Sequence, residues 1–291
     1  MPARPHRDTI LVEDAEVLES VAHAGRQHWM KLAAPRIAAR ALPGSFLHVR
    51  CAPRLPMRRP MSIMRANPAR GEIEILFKVH GHGTELLAQA KPGEQLNLLG
   101  PIGVPFEPSG KRRPLLIGGG VGIPPMVFLA EAMKREKTLA PFVIMGSEVP
   151  FPFQARPSRI MVPGVPPATI ATMPLLEDWG IACRLASGAG FPGCFEGYVT
   201  DLARTWLEAL PADARAEVEV FACGPTPMLK AVVALCRDYA LPGRISLEEY
   251  MACAVGGCAG CVVGVETPAG RAMKRVCVDG PVFDAASVVF Q

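Results

Sequence analysis

The sequence predicts a multidomain β and α/β chain: an antiparallel β-barrel, then a doubly wound lobe, then a small C-terminal domain built on cysteines. Three observations carry this. The first hundred residues break into short β-type runs between Pro and Gly. From about residue 105, short apolar strands alternate with helical stretches. From residue 246 the composition turns Gly- and Cys-rich. The expected domains are 8–105, 106–243 and 244–291.

Length and composition agree with several domains. The chain has 291 residues, 49% hydrophobic and 20% charged, which is enough apolar surface for more than one core. A net charge of +4 spread along the chain, with aromatics at 6%, argues against nucleic-acid binding. Uncharged stretches such as 114–130 and 160–176 are too short for a membrane span and are broken by Pro or Gly. Residues 1–12 lack an apolar leader, so a cytoplasmic location is expected, with the nine Cys reduced.

The elements follow in order. Residues 44–51, 72–80 and 94–99 carry β-branched or bulky apolar residues between breakers, and Glu72, Ile73, Glu74 and Ile75 alternate as in a half-buried strand. Short strands with frequent turns predict a small barrel or sandwich. Residues 84–89 predict one short helix. Residues 114–117 form an apolar strand that leads into a glycine run, and 124–137 predict a helix with Pro in its first turn. Residues 140–145 and 218–222 are further buried strands, and 226–239 predict an amphipathic helix. This alternation gives the doubly wound parallel sheet. Residues 150–174 are Pro-rich and carry no clear periodicity.

The strongest motif is Cys253-x4-Cys258-x2-Cys261-x15-Cys277. Three thiolates within nine residues, separated by Ala and Gly, can fold around a small inorganic core. Gly256, Gly257 and Gly260 let backbone N–H groups approach the sulfurs. The spacing is that of plant-type [2Fe–2S] centres. A four-thiolate zinc site is the alternative, although zinc sites favour paired C-x2-C units. A Rieske centre would need His ligands, and all six His lie in the first 82 residues.

Two weaker motifs precede it. In Arg58-Arg59-Pro60-Met61-Ser62 a guanidinium and a hydroxyl, with the backbone fixed between them, can hold a pyrophosphate. The run Phe77-Lys78-Val79-His80-Gly81-His82-Gly83-Thr84 leads into the short helix, where Gly83 and Thr84 would offer free N–H groups to an anion. His80 and His82 read as surface residues at a Gly-rich turn.

The second domain carries Gly118, Gly119, Gly120, Val121 and Gly122 between a strand and a helix. Glycines there permit a tight turn and close approach to a dinucleotide. Pro125 replaces the last small residue of the usual pattern. Cys223-Gly224-Pro225 ends a later strand of the same sheet, so both loops should line one cleft. Cys223 is a candidate neighbour of a nicotinamide, or a small buried residue. Glu148 is a candidate acceptor for a ribose hydroxyl and would repel a 2′-phosphate.

In this order the motifs identify a resemblance. The segments RRPMSI (58–63), FKVHGHGTELL (77–87), GPIG (100–103), LLIGGGVGIPPM (115–126), CGPTPMLKAV (223–232), SLEEYMACAVGGCAGC (246–261) and RVCVDGPVF (275–283) carry it. The chain resembles the electron-transfer subunits of dihydroorotate dehydrogenases, within the ferredoxin–NADP reductase superfamily. The resemblance implies an antiparallel flavin-binding β-barrel, a doubly wound nucleotide-binding lobe and a small C-terminal [2Fe–2S] domain. It implies FAD contacts at Arg59, Pro60, Met61 and Ser62, at Leu76, Phe77 and Lys78, and at Gly83 and Thr84. It implies cluster ligands at Cys253, Cys258, Cys261 and Cys277. NAD would be taken by Gly118, Gly119, Gly120, Gly122, Cys223, Gly224 and Pro225. Residues 148–198, with PFPFQARP and the apolar loop at 187–191, depart from the pattern.

The implied function is an oxidoreductase subunit in pyrimidine biosynthesis. It would pass electrons from an FMN-containing dihydroorotate dehydrogenase catalytic subunit, in a heterotetramer, through the cluster and FAD to NAD. Nicotinamide exchanges two electrons and a [2Fe–2S] cluster one, so a flavin is the natural intermediary, and no side-chain general base is required. Two alternatives are an NAD(P)H-linked flavin and iron–sulfur reductase serving another partner, and a non-enzymatic, zinc-stapled binding module.

Overall fold

A computed structural model describes residues 8–290, so the leader reading at residues 1–12 lies partly outside the described residues. The chain forms two compact units. One holds residues up to Phe106 together with Ser246–Phe283 and the last few residues; the other holds Glu107–Ile245 and Asp284–Ala286.

In the first unit, six strands close into an antiparallel barrel in the order β1-β2-β5-β4-β3-β6. They are β1 (Leu11–His23), β2 (Gln27–Ala33), β3 (Phe46–Arg50), β4 (Arg59–Asn67), β5 (Glu72–Lys78) and β6 (Gln95–Ile102). The alternation of Leu11, Glu13, Ala15 and Val17 with exposed residues turns one face of β1 inward. Glu13 is buried because its carboxylate accepts the Arg36 and Ile37 N–H groups at 3.0 and 2.8 Å, at the start of the single-turn helix α1 (Pro35–Ala38). The interior is filled by Met30, Leu32, Leu47, Ile63, Ile73, Ile75 and Leu98, all fully buried.

Residues 59–62 open β4, paired in register with β3, and one sequence expectation shifts here. The short helix is α2 (His82–Leu87), which starts two residues earlier than expected because Gly81, at a positive φ of 81° that glycine alone adopts freely, caps it.

The C-terminal part of this unit begins with an irregular loop over residues 247–261. The hairpin β14 (Val262–Thr267) and β15 (Gly270–Arg275) follows, then the short helix α8 (Val276–Asp279), β16 (Val282–Asp284) and β17 (Val288–Val289), which pairs with β14.

In the second unit, β7 (Arg113–Gly119), β8 (Phe142–Gly146), β11 (Ala182–Ala186), β12 (Val218–Cys223) and β13 (Gly243–Ser246) form a sheet in the order β11-β8-β7-β12-β13. Ala285 donates its N–H to Gly243 at its edge, at 2.9 Å. Strands β11, β8, β7 and β12 are parallel. Their near-continuous apolar burial is what a sheet covered on both faces requires. Helix α3 (Ile123–Met133) is almost wholly buried, and α5 (Val199–Ala209) and α7 (Thr226–Asp238) each bury one stripe. Helix α3 ends at Met133, four residues before the expected end, and its start is preceded by a 3-10 turn at Gly120–Gly122. In the Pro-rich stretch the two-residue strands β9 (Arg156–Pro157) and β10 (Ala171–Thr172) pair. Short helices α4 (Pro174–Asp178) and α6 (Ala212–Ala216) complete the unit.

The chain reverses its winding between β7, whose next strand β8 lies on one side, and β12 on the other. In such a sheet the ligand crevice lies outside the carboxyl ends of these two strands. Here they are in register, Gly118 opposite Cys223. The loops press together: a Cβ on Gly122 would stand 2.1 Å from the Cys223 carbonyl oxygen. Backbone cannot yield as a side-chain tip can. Gly122→Ala should therefore destabilise this unit by about 2–3 kcal/mol, an overpacking cost. The expected result is a fall of roughly 5 °C or more in the midpoint of thermal unfolding, followed by circular dichroism.

Candidate redox cofactor sites

The cysteine motif lies in one loop and the helix that follows its hairpin. Cys253 and Cys258 belong to the loop, Cys261 ends it, and Cys277 is in α8. The four sulfurs come together as two pairs. Cys261 Sγ lies 3.4 Å from Cys277 Sγ, and both residues are buried. Cys253 bonds the Cys258 thiol and also accepts the Cys258 N–H at 3.4 Å, nearer the surface. The loop achieves this by folding back on itself at Ala254, Gly256 and Ala259, all at positive φ, which only the glycine adopts without strain.

Gly256, Gly257 and Gly260 each turn an N–H toward a sulfur: Cys277, Cys253 and Cys258 respectively. The two ends of the arrangement differ electrostatically. At Cys253, burial opposes the thiolate, but N–H groups of Val255, Cys258 and Gly257 outweigh it and bring the thiol down to about 6. At Cys277, burial and the neighbouring Cys261 push the thiol up to about 12.

This donor set fits a two-iron cluster. Two thiolate pairs are what two bridged irons use.

The flavin motif divides into a structural and a free half. The Arg58 guanidinium is spent on the barrel: it donates to the carbonyls of His48 on β3 (3.0 Å) and Asn97 on β6 (2.9 Å), and to the Asn97 side chain. Among the described residues Arg59 instead reaches only its own turn, the carbonyls of Met57 and Arg58 at 3.0 and 3.1 Å. Its guanidinium lies over Gly83, where a Cβ would stand 2.9 Å from the Arg59 Nε. The two motifs, separate in sequence, thus converge.

Thr84 brings a different group than its sequence suggests. Its hydroxyl accepts the His80 N–H at 2.7 Å and donates to the Gly81 carbonyl at 3.0 Å. What it can offer an anion is its backbone N–H, since the first helical bond is made by Glu85. Met61 and Phe77 point into the barrel, so they can meet a cofactor only through their backbone; Pro60, Ser62 and Lys78 are at least partly exposed, and Leu76 is buried.

In the second unit, backbone packing demands Gly122 and crowds Gly118, while Gly119 and Gly224 face the flexible end of the Met228 side chain. Cβ atoms on Gly119 and Gly224 would each come within 2.5 Å of the Met228 side chain, and one on Gly118 would be 3.1 Å from the Ile123 Cα. Gly120 alone of the run has a positive φ, 56°, with open space around its Cβ position. Cys223 is fully buried, Pro225 caps α7 and Glu148 is exposed past β8. Sequence reasoning missed three aromatics beyond the same sheet edge. Phe151 lies 5.3 Å from Phe153 and 6.3 Å from Phe191 between ring centres. Their signal, PFPF and an apolar loop, was visible only as a departure from pattern.

The division between the two arginines is testable. Arg59→Ala removes the free guanidinium and should lower FAD affinity roughly tenfold to a hundredfold, the loss of about 1.5–3 kcal/mol in a charge-assisted bond. Arg58→Ala should instead lower the melting temperature of the barrel. Equilibrium dialysis with FAD and thermal melts on both variants check the contrast.

Comparison with known proteins extends this picture. Residues 15–106 match the oxidoreductase FAD-binding domain, and residues 248–289 match the iron-sulfur cluster binding domain of dihydroorotate dehydrogenase B. The dihydroorotate dehydrogenase B (NAD(+)) electron transfer subunit of Desulforamulus reducens is 33% identical over 283 residues, covering 96% of this chain and 99% of that protein. The Bacillus caldolyticus protein of the same name is 34% identical over 275 residues, covering 91% and 94%. Among solved structures, an NADH-dependent reduced ferredoxin-NADP oxidoreductase has the same fold, with a TM-score of 0.77, 23% identity, and coverage of 99% of this chain and 91% of that one. The convergent Arg59 and Gly83, the paired cysteines and these full-length relatives lead to one conclusion: the chain belongs to the family of dihydroorotate dehydrogenase B electron transfer subunits, as an oxidoreductase subunit with an FAD-binding domain and an iron–sulfur cluster-binding domain.

Proposed function

We propose that this chain passes electrons between an FMN-containing dihydroorotate dehydrogenase catalytic subunit and NAD, in a cytoplasmic heterotetramer. The observation that carries the reading is the pairing of Cys253 with Cys258 and of Cys261 with Cys277 in the same compact unit as the barrel. The names of the full-length relatives support the substrate and the nucleotide. No helix among the described residues is long and apolar enough to cross a membrane.

When bound, FAD and the cluster supply the redox chemistry, FAD trading electron pairs with nicotinamide and single electrons with iron. The chain's residues hold and orient. Arg59 and the Gly83 and Thr84 N–H groups take the FAD pyrophosphate. Pro60, Met61, Ser62, Leu76, Phe77 and Lys78 line the flavin along β4 and β5. The four thiolates hold the irons, and the loop N–H groups stabilise their negative charge. Gly120 and the 223–225 loop receive the nicotinamide nucleotide. Glu148 accepts from its ribose and disfavours a 2′-phosphate.

Anaerobic mixing tests this. NADH should bleach the flavin absorbance, and NADPH should do so more slowly. The isolated chain should not oxidise dihydroorotate, and adding the FMN-bearing catalytic subunit should couple that oxidation to NAD reduction. If the flavin responded to neither nucleotide while accepting electrons from another donor, the chain would serve a different partner.

A further inference from the structure

Residue His48 is anomalous in the barrel. It lies in β3 between Leu47 and Val49, both fully buried, and is itself 1% exposed. A buried imidazole in an apolar strand is costly unless its nitrogens are paired. Nε2 lies 3.3 Å from the Met251 carbonyl oxygen, which can only accept, so Nε2 carries the proton of a neutral ring; Nδ1 makes no well-formed hydrogen bond, although the Arg58 carbonyl lies beside the ring. Burial agrees, depressing the imidazole to about 4.

The two ends of this residue meet two different motifs. Its backbone carbonyl takes the Arg58 guanidinium at 3.0 Å, and it stands opposite Pro60 in the β3–β4 register. Its ring takes a carbonyl two residues before Cys253, in a loop that otherwise lacks regular structure from 247 to 261. Leu in place of His48 would fill similar space without an orphan nitrogen. The hydrogen bond to Met251 is what the imidazole adds.

We propose that His48 is a positioning residue: its Nε2–H fixes the start of the cysteine loop against the barrel strand that faces the flavin motif. It thereby sets the placement of Cys253 and Cys258, the less buried pair. The inference rests on the assignment of a cluster to these cysteines and of FAD to β4. It adds a residue outside both motifs that couples them.

The test uses the full chain loaded with FAD and iron, as wild type, His48→Leu and His48→Gln. Gln can place an N–H near the position of Nε2; Leu cannot. The Leu variant should keep its FAD and its thermal midpoint, release iron to a chelator about tenfold faster, as loss of a supporting contact around a metal site does, and show altered g-values for the reduced cluster. The Gln variant should recover both readouts toward wild type. Amide hydrogen exchange over 247–261 in iron-free protein provides a readout that needs no cluster: protection should fall with Leu and return with Gln. Wild-type iron release, g-values and loop protection in the Leu variant would overturn the proposal. So would parallel loss of FAD and iron, which marks an ordinary core residue. A wild-type chain that holds FAD but never iron would instead overturn the cluster assignment, while the exchange measurement would still decide the role of His48.

Discussion

The seam where β3, β4 and β6 meet governs the first unit. One buried-side guanidinium, Arg58, binds carbonyls on both of the neighbouring strands. One guanidinium nitrogen donates to both carbonyls while its neighbour reaches the Asn97 side chain, a set of bonds the planar fork holds in fixed geometry. Among the described residues Arg59 bonds only the carbonyls of its own turn. The seam thus delivers a cation, with no acid among its bonding partners in the described residues, to the position over Gly83. The same seam fixes His48, whose ring reaches the cysteine loop. The strand proposed to line the flavin and the cysteine loop therefore both bond the same few strand residues.

The cysteine loop works by a different economy. Thiolates crowd poorly, since like charges at near contact repel and burial disfavours each. Backbone N–H groups offset this on the outer pair, and the loop must bend sharply to aim them. The positive φ values at Ala254, Gly256 and Ala259 are the cost of that aim. Ala254 and Ala259 already carry that strain through their Cβ atoms, and Gly256 escapes it.

Much of this was legible in the sequence, for identifiable reasons. The cysteine spacing is a covalent constraint, and covalent spacing survives folding. The parallel strands announced themselves as short unbroken apolar runs because both their faces are covered. The long strand β1 was missed, although its alternation is regular, because its charged residues at positions 13, 14 and 16 mask the apolar face. The strand β11 and helix α5 were hidden by the Pro-rich stretch before them. Spatial convergence was least legible. Nothing in the order of residues says that Arg59 lies over Gly83, or that the hydroxyl of Thr84 is consumed by its own turn. The glycine run at the end of β7 teaches the opposite lesson: Gly122 is pressed against the backbone of the β12 loop, Gly118 packs on the start of α3, and Gly120 opens onto free space.

The central claim is that one chain holds two redox centres of different electron capacity. An anaerobic reductive titration of the purified chain, followed by visible absorption and electron paramagnetic resonance, counts electrons directly. A flavin takes two and a [2Fe–2S] cluster one, so the account predicts uptake of about three electrons per chain, with a paramagnetic signal from the reduced cluster. Uptake of about two electrons with no such signal, in protein prepared without oxygen, would contradict it.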